Sequence, residues 1–157
     1  MIAANATRAP IFVAGYDPTR AQAAMRRIRE HGESVSLDWT SEPFDTPYKE
    51  RPAWTEPKAR SMLAAIRSSV ALVLLWEPGT MESARWEAGI ALGQRLPVFV
   101  AGDVDLFYGY TPTVKVFVSD EEAVDAAIAA AVVFKRARGG TQVPPTGESL
   151  AKRLARP

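Results

Sequence analysis

Val70-Ala-Leu-Val-Leu-Leu-Trp76 is an unbroken apolar run, closed by Glu77-Pro78-Gly79-Thr80. A strand with one wet face alternates polar and apolar residues; a continuous run of this length calls for a strand covered on both faces. Such strands belong to parallel sheets, and parallel neighbours need long crossovers, usually helices. The run is also far shorter than the ~20 residues that cross a bilayer.

The rest of the chain supplies the partners this strand requires. Ile11-Phe-Val-Ala-Gly15, Pro97-Val-Phe-Val-Ala101 and Val114 to Val118 are further short apolar runs, and Val35 to Trp39 alternates enough to predict a second strand after the first helix. Between them lie helical spacings. Ala21, Ala24, Met25 and Ile28 mark a helix over 21–31, with Asp17 or Thr19 as its cap and Gly32 as its stop. Met62, Leu63 and Ile66 mark another over 58–68, and 81–94 reads as a third with Thr80 or Ser83 as N-cap. Asp120 to Arg138 is Ala-rich, acidic at its start and basic at its end, as the helix dipole favours. Thr40 to Pro57 contains four prolines and reads as a long irregular loop. The expectation is one α/β domain over 1–138, a doubly wound parallel sheet of about five strands of flavodoxin- or Rossmann-like type, then a linker and short basic tail over 139–157.

Composition narrows the chemistry. There is no cysteine, which excludes disulfide frameworks, thiolate metal sites and thiol nucleophiles; the single histidine, His31, removes His-cluster metal sites and argues against a Ser-His-Asp triad. Nineteen Lys and Arg against eighteen Asp and Glu leave a net charge of +1, so no global field draws in polymeric nucleic acid or an anionic membrane. Without a basic leader preceding an apolar stretch, the expected location is cytoplasmic. Catalysis, if any, falls to carboxylates and hydroxyls.

In open α/β sheets ligands bind at the C-terminal strand ends. There the sequence places Gly15, Tyr16 and Asp17, then Asp38 and Trp39, then Glu77 to Thr80 including Gly79, and from the next helix Ser83 and Glu87, which are four apart and share a helix face. The nearby helix N-terminus is expected to keep Glu87 ionised. Asp17 reads as a turn and cap residue, Arg20 as an exposed arginine with a phosphate contact as the lesser alternative, Trp86 as a packing residue and His31 as a helix-end residue. Trp39, Phe44, Tyr48 and Trp54 can stack on a base or close a site, or equally form a satellite hydrophobic cluster.

Glu87-Ala-Gly89-Ile-Ala91-Leu-Gly93-Gln-Arg-Leu-Pro97-Val98 resembles the Glu-x-Gly-x-Ala pattern, with its following Pro-Val strand, of nucleoside 2-deoxyribosyltransferases and related nucleotide N-glycosidases. The run 11–15 resembles that family's opening strand, Ser69 to Leu75 the strand before its active-site loop, and Glu77-Pro78-Gly79-Thr80 its acidic-x-Gly-Thr turn. The resemblance implies a carboxylate nucleophile: Glu87 attacks C1′, expels the base, and forms a glycosyl-enzyme that a second base or water resolves. It further implies that Tyr16 orients Glu87, that Glu77 contacts the nucleobase, that neither metal nor organic cofactor is needed, and that the site belongs to a homo-oligomer. The family has Asp where this chain has Glu77, and a shorter stretch before the nucleophile, so Glu82 competes with Glu87; only Glu87 keeps Gly89, Ala91 and Pro97 in register. Two alternatives remain: a Toll/interleukin-1 receptor (TIR)-like NAD glycohydrolase, and a catalytically silent module binding nucleotides or proteins on the same scaffold.

Overall fold

The computed structural model describes residues 9–41, 47–79, 81–105, 109 and 111–139. In chain order the elements are β1 (Ile11–Ala14), α1 (Pro18–Glu30), a 3-10 turn (Tyr48–Glu50), α2 (Pro52–Ser68), β2 (Ala71–Leu75), α3 (Glu82–Gly93), β3 (Val98–Ala101), β4 (Val114–Phe117) and α4 (Asp120–Gly139). The four strands form one parallel sheet in the order β1-β2-β3-β4, with Val13, Val73, Phe99 and Lys115 aligned across it. The fold is α/β, flavodoxin- or Rossmann-like, with helices on both faces of the sheet.

Four strands stand where about five were expected, because 35–39 contributes only a single bridge, Ile11 to Val35. Ile11 N–H donates to the Ser34 carbonyl and Ser36 N–H to the Ile11 carbonyl, after which the chain leaves the sheet. Side-chain placement explains why. Val35 packs with the cluster on one face and Leu37 with the cluster on the other, a pattern that a strand of period two does not allow. Asp38 then closes a tight turn onto Thr40, and the Trp39 indole donates to the Val13 carbonyl at 2.8 Å.

Each face of the sheet carries its own core. Ile11, Val13, Val73, Leu75 and Phe99 pack against Met25 and Ile28 of α1 and Val124 and Ile128 of α4. Phe12, Leu72, Leu74, Val98 and Val100 pack against Ile66 of α2 and Ala84, Ala88 and Ala91 of α3. Burial of each large aliphatic or aromatic side chain stabilises by roughly 1.5–3 kcal/mol, so the strongly apolar β1 and β2 anchor the fold. β4 is less covered: Val116 is exposed on the side that Val114 shares with α3, and no helix intervenes among the described residues between β3 and β4.

The helices start differently from expectation in two places. α2 begins at Pro52, inside the predicted loop, and carries Pro57 in its second turn. Pro52 suits the first helical position because its missing N–H would be unpaired there anyway. At the start of α3 the N-cap is Met81, with no side-chain cap bond, while Ser83 lies within the helix; Thr80 is outside the described residues, as are Phe44 and residues 140–157. α4 runs through Gly139, and the rest of the expected linker and tail lies outside the described residues. No helix among the described residues is long and apolar enough to cross a membrane.

Candidate active site

The C-terminal ends of β1, β2 and β3 lie close together, and glycine is what lets them. A Cβ on Gly15 would stand 3.2 Å from the Leu75 Cβ; one on Gly102, whose φ is +145°, would stand 3.1 Å from the Trp76 Cβ. Asp17 starts α1 by accepting from the Thr19 N–H at 2.8 Å and the Arg20 N–H at 3.4 Å, as the sequence suggested.

Arg20 is half-buried, not exposed. Its Nε and Nη2 donate to both carboxylate oxygens of Asp120 at 2.8 and 2.5 Å, its Nη1 to the Trp76 carbonyl at 2.7 Å, and its Nη2 to the Ala101 carbonyl at 3.2 Å. Nη1 also reaches Glu77 Oε1 at 3.5 Å. One planar guanidinium thus ties α1, β2, β3 and α4 together, the fork geometry that lysine cannot reproduce. The Asp120 hydrogen bond, aided by its charge and by Glu77, holds the guanidinium above the usual arginine range despite partial desolvation. The sequence did carry a signal for this. A cation in the first turn of a helix sits at the positive end of the macrodipole and needs compensating partners.

The segment after β2 is fixed from both ends. Glu77 N–H donates to Met81 Sδ at 2.9 Å, and the Arg85 guanidinium lies 5.2 Å from the Trp76 ring centroid while reaching the Gly79 carbonyl at 3.5 Å. Gly79 adopts φ +109°, a left-handed conformation that a side chain would strain.

Glu87 occupies the second turn of α3. Ala84, Ala88 and Ala91 turn toward the sheet, and Trp86 and Gly89 turn toward solvent; Glu87 lies on the flank between them, one turn after Ser83. It is half-buried, and no hydrogen bond or ion pair reaches its carboxyl among the described residues. Burial alone pushes that carboxyl up to about 8. The expectation of an ionised Glu87 is therefore corrected: the dipole acts within the first helical turn, and desolvation outweighs it in the second. A carboxyl held neutral near pH 7 has a proton to give and becomes a nucleophile once it has given it. The competitor Glu82 is an exposed residue at the very start of α3.

The remaining predicted residues divide. Tyr16 is 66% exposed beside Gly15 and shares no hydrogen bond with Glu87. Ser83 is exposed on α3. Asp38 accepts from Arg29 at 2.8 Å and from the Thr40 hydroxyl at 2.6 Å, and these bonds, with Thr40's first, hold its carboxyl below the usual range. Trp39 is buried in the α1/α4 core, whereas Tyr48 is exposed, so these two do not belong to one cluster. Trp86, expected to pack, is 77% exposed, because the alanine register of α3 turns it away from the sheet. Among the described residues no three carboxylates or imidazoles gather as a metal ion would require.

No protein-family model and no curated protein matches this chain significantly. Among solved structures, a 3-dehydroquinate dehydratase-like protein from Bifidobacterium longum is similar over 81% of this chain and 98% of its own, with 13% sequence identity and a TM-score of 0.43.

Proposed function

We propose that this chain is an enzyme that breaks or exchanges the N-glycosidic bond of a nucleoside or nucleotide through Glu87. The observation that carries this reading is the half-buried Glu87 carboxyl without a hydrogen bond or ion pair, on the helix that follows the central strand. A carboxyl with a purely structural role is ordinarily paired or left in water; one that is neither has a free-energy cost that function can justify. Its register with Gly89, Ala91 and Pro97 supports the same reading.

The chemistry balances with one residue. With its proton released to solvent, the Glu87 carboxylate forms the C1′–O bond from the face opposite the base as the C1′–N bond breaks, and a water at the open strand ends supplies a proton to a nitrogen of the departing base. A second base or water then attacks C1′ from the vacated face, loses its proton to solvent, and displaces Glu87 as the carboxylate. Glu77, oriented by Arg20 at the strand ends, takes the role of base contact; Tyr16, Gly15, Gly79 and Ser83 line the approach. Asp38 and Trp39, whose polar atoms are engaged within the chain, shape the fold and are left out of the substrate site.

The test is chromatography of the purified protein with deoxynucleosides, deoxynucleotides and NAD, each with and without free adenine, beside Glu87→Gln. Base exchange requiring free adenine identifies a transferase, and base release without it a hydrolase, provided the variant is inactive. Release of nicotinamide alone moves the reading to a NAD glycohydrolase. Absence of turnover on every substrate, with nucleotide binding intact in Glu87→Gln, overturns it in favour of a silent binding module.

A further inference from the structure

We propose that the substrate is an unphosphorylated nucleoside whose base carries a positive charge, that is, an N-quaternised purine, pyrimidine or pyridine. This rests on Glu87 as the group that breaks the N-glycosidic bond, as read above, and adds the chemical class of what it acts on. Every strand of the sheet is followed within three residues by a carboxylate: Asp17 after β1, Glu77 after β2, Asp103 after β3 and Asp120 after β4. Glu82, Glu121 and Glu122 add three more in the first turns of α3 and α4. The helices run back against their strands, so the basic residues of their last turns, Arg27 and Arg29 of α1, Arg67 of α2, Arg136 and Arg138 of α4, lie toward the opposite edge. A net charge of +1 thus conceals a sheet whose C-terminal edge, where open α/β sheets bind their ligands, is acidic. Glu87 lies five residues beyond Glu82, about 7.5 Å along the helix axis and within the screening length of about 8 Å at physiological salt.

Among the described residues that follow the strands, nothing is left to hold a phosphate. All five N–H groups of Arg20 are committed to Asp120, Glu77 and two backbone carbonyls, and Arg85 lies over the Trp76 ring and reaches the Gly79 carbonyl. Helix N-termini are the other usual anion sites. That of α1 is met by Asp17. That of α4 is met by a reciprocal pair, in which Ser119 Oγ accepts from the Glu122 N–H at 3.2 Å and Glu122 Oε2 from the Ser119 N–H at 3.4 Å; α3 opens on Glu82 itself. Lys49 and Arg51, ahead of α2, flank Glu50 and follow no strand, and Arg51 lies over the Trp54 ring. The segments 42–46, 80, 106–108 and 110, outside the described residues, contain Glu42 and Asp45 and no lysine or arginine.

The bond chemistry points the same way. A neutral base must gain a proton as it departs, and the step above draws that proton from water. A quaternised base needs none: the C1′–N electron pair returns to the ring and the base leaves neutral, while the Glu87 carboxylate forms the C1′–O ester. Water then attacks C1′, releases one proton to solvent and restores the carboxylate. Burial holds Glu87 protonated in the free protein, and a positive base set beside it favours the ionised form, so this substrate frees its own nucleophile on binding.

The test uses three ligands of one shape that differ in charge: nicotinamide riboside, its 5′-phosphate, and its reduced form, whose ring is neutral. Equilibrium dialysis against Glu87→Gln, which consumes none of them, should show nicotinamide riboside bound at least about 10-fold more tightly than either of the others. Both ratios should shrink toward one at about 0.5 M salt. Asp103→Lys and Glu121→Lys, at exposed positions without side-chain hydrogen bonds among the described residues, should each lower both ratios. Two separate positions keep the test decisive where circular dichroism shows that one variant has unfolded. The parent protein should release nicotinamide from the riboside, and Glu87→Gln should not. Equal or tighter binding of the 5′-phosphate overturns the proposal, as does equal binding of the reduced form, or ratios that neither salt nor the two substitutions move. Glu87-dependent release without any charge preference overturns this proposal alone. Charge preference without Glu87-dependent release overturns the N-glycosidic reading and leaves the ligand class standing.

Discussion

Two half-buried titratable groups, on helices packed against opposite faces of the sheet, are treated in opposite ways. Arg20 is met by a carboxylate, two backbone carbonyls and a second carboxylate, with every contact accounted for. Glu87 is more strongly desolvated and, among the described residues, is met by no hydrogen bond or ion pair. Folding stabilises the first and tolerates the second. A group whose charge is fully matched has its protonation state fixed and serves architecture; a group left unmatched keeps a proton that a ligand can take, which is the property a reacting site needs.

The largest effect expected from this contrast is on turnover. Glu87→Gln should reduce N-glycosidic cleavage by at least about 10³-fold in a product-release assay, with little change in the folded structure. Next, Arg20→Ala should destabilise the protein by about 2–4 kcal/mol in urea titrations, because it leaves Asp120 and the Trp76 carbonyl without this donor, the Ala101 carbonyl keeping the Trp76 N–H. If Arg20→Ala proved as stable as the parent, the division into structural and functional charges would fail.

A third expectation separates the two groups by pH. The folded chain holds a proton on Glu87 that the unfolded chain, with its carboxyl near 4.5, gives up. Stability therefore falls as pH rises from about 4.5 to about 8, by at most about 1.4 kcal/mol per pH unit, and is flat in this respect above it. Glu87→Gln should abolish that decline and be the more stable protein at pH 8; Asp38, whose carboxyl is lowered, acts in the opposite direction and only at acid pH. The smallest effect concerns the turn beside the site. Trp39→Phe removes the indole donor to Val13 and should cost about 1 kcal/mol while leaving turnover unchanged.

How much of this could be read in advance depended on whether a residue's fate was decided locally. β1, β2 and β3 were legible as continuous apolar runs, since burial on both faces leaves no other composition. The segment 35–39 has the alternation of a strand, yet Leu37 and Val35 pack on opposite faces, a choice made by the sheet and not by the segment. Pro57 reads as a breaker; its place in the second turn of a helix already begun at Pro52 is set by the packing of Ala65 and Ile66 further along. At the site, Asp17 as a cap was a local matter. Arg20 was misjudged because its partners lie 56 to 100 residues away, and the protonation of Glu87 depends on how much water the assembled layers exclude.

That remoteness has a kinetic counterpart. The Arg20 fork contacts residues at sequence separations of 56, 81 and 100, so it closes only after both crossovers and the final helix are in place. Contacts spanning such distances carry a large loop-closure cost and form late, on the native side of the folding barrier. Loss of the fork is therefore expected in the rate at which the native molecule opens, with the rate of folding nearly unchanged, making Arg20 a determinant of how long the folded state persists once reached.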